Sequence, residues 1–204
     1  MHPESNQSGS ALLRIAEKKG ETDMAKTDNP HAVRLYNSLL QHTDAETAAR
    51  IAHKIPLSKS ADYEKKFMWA QSICADLEEA FNAETIKIIR MDCACGPEKG
   101  QSNTLKKIWQ RSDGFADFVQ KANKSAKGFT LLYEDEALFL IYPQCYCSCV
   151  KRVDKTLPAA WCACTLGYAA RMFESVFERP VTVALMESVK QGGTQCKIKI
   201  VCAQ

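Results

Sequence analysis

Apolar residues keep a helical period along the first part of this chain and switch to short strand-length runs after about residue 128. Asn29 followed by Pro30 predicts a capped helix running to about Gln41. Thr43-Asp44-Ala45-Glu46 reads as a capping box opening a second helix to about Ile55, stopped by Pro56. Ser60 can cap a longer helix, in which Phe67, Ala70, Cys74, Leu77 and Phe81 recur at three- and four-residue spacing. A short helix from Glu84 to Met91 runs into Asp92-Cys93-Ala94-Cys95-Gly96, and residues 103–110 and 114–126 continue the helical pattern.

From Phe129 the period changes. Phe129–Tyr133 and Ala137–Tyr142 flank Glu134-Asp135-Glu136 as a β-hairpin, which Pro143 ends. Pro158 opens a helix with Leu166, Ala169, Met172 or Phe173, and Val176 or Phe177 on one face, and Pro180 stops it. Val181–Val189 and Gln195–Val201 form a second hairpin around Gly192-Gly193. Helices first and strands afterwards predict an α+β fold, with a helical N-terminal half packed on a mostly antiparallel sheet. The sheet is made of two hairpins with a helix between them. Residues 1–27 read as a loosely held arm or a short helix around the apolar patch Ala11–Ile15. Residues 28–204 form one domain, mainly helical over 28–127 and cysteine-rich over 128–204.

Composition narrows the function classes. In 204 residues, 46% apolar and 25% charged, a net charge of +3 is mild, and the lysines sit in scattered pairs such as Lys65-Lys66 and Lys106-Lys107. Nucleic-acid binding would need a denser basic stripe with aromatic platforms, so it is not expected. The polar start of the chain carries no secretory signal and no apolar run is long enough to span a membrane, so a cytoplasmic, reducing setting is expected. There, clustered cysteines point to metal or catalysis before disulfides.

Seven of the ten cysteines fall in three groups: Cys93 and Cys95; Cys145, Cys147 and Cys149; Cys162 and Cys164. In extended backbone, alternate residues face one side about 6.5–7 Å apart, so paired sulfurs can lean toward one ion. Thiolate-only sites suit zinc or an iron–sulfur cluster. The Cys-x-Cys spacing is tighter than the usual structural-zinc pattern. The alternative is a nucleophile. Cys162 and Cys164 follow Pro158, where a first helical turn and its N–H groups would lower a thiol pKa. No local Cys–His pair exists, because His2, His31, His42 and His53 all lie in the N-terminal quarter. The 11-residue spacing of the last three would align them only on a single helix, which Pro30 and the capping box argue against. Asp92, Glu174 and Glu187 lie nearest the cysteine groups as candidate general bases. Tyr142, Tyr146, Trp161 and Tyr168 interleave with the cysteines and can wall a small-molecule pocket.

The run Trp161-Cys162-Ala163-Cys164-Thr165-Leu166-Gly167-Tyr168, then Met172-Phe173-Glu174, Pro180-Val181, Glu187-Ser188 and Gly192-Gly193-Thr194-Gln195-Cys196, resembles the L-2-amino-thiazoline-4-carboxylic acid hydrolase-like group. More distantly it is similar to the vinyl-four-reductase small-molecule-binding domains. The resemblance covers roughly the last third of the chain and implies an antiparallel sheet packed by helices, with a small-ligand pocket between them. It also implies hydrolytic opening of a thiazoline ring, a C–N bond cleavage outside peptides.

The expectation is therefore a cysteine-rich metal or cluster site beside a small-molecule pocket. Cys93, Cys95, Cys145, Cys147, Cys149, Cys162 and Cys164 are the candidate ligands, and zinc or an iron–sulfur cluster the cofactor. Cys162, Cys164 and Glu174 are the candidate catalytic groups; Tyr146, Trp161 and Tyr168 are the pocket wall. The partner is a small molecule, with neither nucleic acid nor membrane, and a homodimer stays open. A metal-free thiolate hydrolase and a non-enzymatic metal or redox sensor remain as alternatives.

Overall fold

A computed structural model describes residues 27–97 and 99–203, so the expected N-terminal arm lies outside the described residues, Thr27 apart. Six helices come first: α1 Pro30–Leu39, α2 Ala45–His53, α3 Tyr63–Ala80, α4 Ala83–Asp92, α5 Lys99–Trp109 and α6 Phe115–Ser125. Strands β1 Thr130–Glu134 and β2 Ala137–Tyr142 follow, then α7 Ala159–Phe177, and finally β3 Val181–Glu187 and β4 Cys196–Cys202. The fold is α+β, as expected from the order of periods.

The starts of α1 to α4 are set by side chains that accept orphan N–H groups. Asn29 accepts from the His31 N–H, as the sequence predicts. The next two caps move. Asp44, and not Thr43, accepts from Thr47, because its carboxylate carries more charge toward the helix end than a hydroxyl. Asp62, and not Ser60, caps α3 through the Lys65 N–H for the same reason. Asp135 and Glu136 both adopt positive φ, which gives the tight two-residue turn joining β1 to β2.

The four strands are antiparallel in the order β1-β2-β4-β3, so the two hairpins join through β2 and β4. A short 3-10 turn, Val189–Gln191, occupies the predicted end of the third strand. Alternation puts Leu131, Leu138, Leu140, Ile198 and Ile200 against α6 and α7. Leu132, Met186 and Val201 face outward. A second core joins α1 to α4 with the cysteine segments, around Trp69, Ile73, Cys74 and Trp161. Among the described residues no helix is long and apolar enough to cross a membrane.

The two cores meet where α7 lies on the end of α4. A Cβ on Gly167 would stand 2.1 Å from the Met91 carbonyl oxygen, so only glycine permits this approach. One turn on, the Arg171 guanidinium donates to the carbonyls of Met91, Asp92 and Ala94 at 2.9, 2.7 and 3.1 Å. It therefore caps α4 in the sense the helix dipole favours.

Gly167→Ala is expected to destabilise the protein by at least about 2 kcal/mol in urea unfolding, because a backbone carbonyl cannot move aside as a side chain can. Gly100→Ala, with nothing within 4 Å of the added Cβ, is expected to be neutral or stabilising by up to about 1 kcal/mol. Equal effects at the two positions would remove the close approach as the cause.

Candidate functional site

The α4–α7 crossing brings the three cysteine groups to one place. Cys93 caps the C-terminus of α4, and Cys95 lies two residues beyond. Cys162 and Cys164 lie on α7, and Cys145 and Cys147 on the segment leaving β2. All six, with Cys196 at the start of β4, line one cavity of about 440 Å³. Cys149 sits just behind it, fully buried in the helical core. All ten cysteines are free thiols.

Tyr142, Tyr146, Trp161 and Tyr168 line the same cavity, where the sequence places the pocket wall. Glu174 does not: it is exposed on α7, away from the pocket lining. Asp92 is exposed as well, and Glu187 accepts N–H groups of Thr194 and Gln195 in the β3–β4 connection. No aspartate or glutamate lines the cavity among the described residues.

Arg90 and Lys190 belong to no sequence motif, yet both face the cavity and both are almost fully buried. Arg90 lies three residues before Cys93 on α4, a helical spacing that turns the two to one side. Its guanidinium donates to the Cys93 sulfur at 3.2 Å and the Trp161 carbonyl at 3.0 Å, and stacks 4.4 Å from the Trp161 ring centre. Burial works against this charge and the surrounding cysteines, Cys93 foremost, work for it, and the group is held cationic. Among the described residues no carboxylate pairs with it. A buried guanidinium without a carboxylate calls for another anion beside it, and thiolates are the groups at hand.

The thiols do not share that anionic character equally. The turn 147–151 is closed by the Val150 and Lys151 N–H groups donating to the Cys147 carbonyl at 3.1 and 2.9 Å. It also brings the Cys149 thiol and the N–H groups of Cys149 and Val150 to the Cys147 sulfur. The Cys149 S–H donated to it is the largest cause, and with the two N–H groups and Arg90 it draws the Cys147 thiol well below the ordinary range. The Cys149 thiol is correspondingly held protonated.

On α7 burial prevails. It pushes Cys162 up to about 11, against a 3.1 Å contact with the Ser188 hydroxyl, and Cys164 up to about 12, against the charge of Arg90. The expected activation by the helix start is small there, because Cys162 is the fourth helical residue and Cys164 the sixth, beyond the turn in which N–H groups are free.

The fold also returns a histidine to the cysteines. The His31 Nε2 lies 3.0 Å from the Ser148 hydroxyl and its Nδ1 3.0 Å from Arg34, which in turn donates to the Cys95 sulfur at 3.2 Å. Burial, then Arg34, Arg90 and Lys66, lower its pKa to about 4, so the imidazole is neutral at pH 7. His42 and His53 lie outside the cavity lining, on separate elements. No three His, Cys, Asp or Glu side chains among the described residues converge as a ready-made ion site.

A family model matches residues 24–204. The chain belongs to the DUF6144 family, a family of unknown function. The match spans both cores and every residue of the cavity, so the pocket lies wholly within the family's domain. No curated protein matches the chain. Among solved structures it is similar to a trafficking protein particle complex subunit 3 from Naegleria fowleri, covalently bound to palmitic acid. The identity is 10% and the TM-score 0.42, with 70% of this chain and 95% of that chain covered, a likeness at which neither fold nor function transfers.

A Cys147 already ionised at neutral pH is expected to alkylate at a nearly constant rate from pH 7 to pH 9. Ordinary cysteines, only a few per cent thiolate at pH 7, speed up steeply over that range. Cys149→Ala removes the S–H donor and is expected to restore the ordinary steep profile, whereas Cys149→Ser keeps a donor and the flat one. A steep profile in the unaltered protein would refute the ionised state.

Proposed function

We propose that the protein acts through thiolate chemistry in this cavity, with Cys147 as the nucleophile toward a small molecule. The observation that carries the reading is convergence. Three cysteine segments, distant in sequence, meet in one small-molecule-sized cavity around a buried guanidinium that has no carboxylate partner among the described residues. The guanidinium supports a thiolate against the burial that keeps Cys145, Cys162 and Cys164 neutral, and the turn at 147–151 favours Cys147 as that thiolate. Cys149 and the protonated thiols of Cys162 and Cys164 are proton donors within the same group. Ring opening of a thiazoline-like, sulfur-containing substrate is the concrete reaction to assay, because the pocket combines a nucleophile with donors for the departing nitrogen. A reducing, cytoplasmic setting goes with ten free cysteines.

A second reading rests on a separate feature. Cys93, Cys147 and Cys164 all act on Arg90, and Cys95 lies beside Arg34, so four thiols from three segments flank fixed cations. A metal tetrathiolate or a four-cysteine iron–sulfur cluster carries net negative charge that Arg90 would balance. Loading would require these sulfurs to turn toward a common centre, since they do not converge as placed.

One preparation separates the two. Protein purified anaerobically is analysed for zinc, iron and sulfide, then labelled with substoichiometric iodoacetamide at pH 7 and mapped by mass spectrometry. The expected outcome is metal-free protein labelled first at Cys147, with thiazoline turnover lost in Cys147→Ser. First labelling at Cys162 or Cys164 would move the nucleophile to α7. Stoichiometric zinc, or iron with sulfide-to-iron absorption, would replace the thiolate reading with the metal one.

A further inference from the structure

The geometry points to the class of ligand this cavity takes: a small anionic electrophile, drawn in by Lys127, Lys190 and Arg90 and met by the cysteine sulfurs. The inference rests on the thiolate reading above and adds to it the charge that the substrate carries.

Three cations and no carboxylate line the cavity among the described residues. The charge of Arg90 is answered by the Cys147 thiolate of the reading above, but the other two are not so matched. The Lys190 ammonium lies 5% exposed and donates to the carbonyls of Val153 and Lys155, which solvate it without neutralising it. Lys127 stands exposed at the rim, next to Gly128. Neither forms an ion pair among the described residues. A cleft with low-dielectric walls and cations on them focuses a positive potential and raises the local concentration of anions.

Burial foremost, then Arg34, Arg90 and Lys66, keeps His31 neutral, so the imidazole adds no charge to this wall. The shape then limits the anion. Tyr142, Tyr146 and Tyr168 give an apolar side, with the Tyr142 and Tyr146 rings 5.7 Å apart, and about 440 Å³ holds a metabolite-sized molecule. A polyanion would need cations spread along a surface, whereas these converge inside one cavity.

Iodoacetate and iodoacetamide form a matched pair of probes. Both alkylate a thiolate by the same step, in which the sulfur–carbon bond forms, the carbon–iodine bond breaks and iodide leaves with the bonding pair. They differ only in carrying a carboxylate or a neutral amide. The rate ratio of iodoacetate to iodoacetamide is measured at each cavity cysteine by mass spectrometry in folded protein, and again in protein unfolded in denaturant.

The expected ratio in the folded protein exceeds that of the unfolded protein by about tenfold or more, and falls with rising ionic strength. Lys127→Glu, a rim substitution, is expected to lower it several-fold while Lys127→Arg leaves it unchanged. Fast labelling by both reagents with the unfolded-state ratio would overturn the anion selectivity and leave the thiolate pocket standing. Slow labelling by both would overturn the thiolate pocket and this inference together.

Discussion

The whole arrangement depends on the close crossing of α7 over the end of α4. The crossing is possible because position 167 has no side chain, and it is held by Arg171 donating to the carbonyls of Met91, Asp92 and Ala94. Both parts are local, yet their consequence is not. They bring Cys93 and Cys95 to the same cavity as Cys162 and Cys164, which the segment carrying Cys145 and Cys147 also lines.

Within that frame, burial and charge compete at each thiol, and they do not win at the same places. Desolvation favours the neutral form of Cys145, Cys147, Cys162 and Cys164. It prevails on α7, where Cys162 and Cys164 lie past the free N–H groups of the first turn and receive little compensation. At Cys147 a donated S–H and two backbone N–H groups act together at short range, and the balance reverses. Arg90 contributes to several cysteines at once, so it sets the sign of the field without selecting one sulfur. Hydrogen bonds make that selection because they act over a single contact distance.

Much of the fold is legible in the chain. The Asn29-Pro30 start, the helical stripe of α3, the hairpin around Asp135-Glu136 and the Pro158 and Pro180 boundaries of α7 depend on residues adjacent in sequence, and all stand where the pattern puts them. The caps of α2 and α3 lie one or two residues later than their signals, because Thr43 and Ser60 each have an aspartate close behind to compete for the same N–H groups. The cysteine groups and the aromatic wall were legible too, since Cys-x-Cys repeats and interleaved tyrosines are patterns in one dimension. Glu174 was a plausible base only by proximity along the chain; on the helix its side faces away from the cavity lining.

The sequence by itself determined the elements, their order, the α+β class and the fact that cysteines concentrate in the region of interest, because propensities, caps and periodicity act over a few residues. Only the tertiary structure decided that Arg90, Lys190, His31 and Cys196 join those cysteines, and that no carboxylate among the described residues does. Arg90 and Cys164 are 74 positions apart, and His31 and Ser148 are 117 apart. Their meeting depends on the helix crossing, and so does the ionisation of each thiol. Electric potential and desolvation sum over neighbours in space, and the chain order does not specify those neighbours.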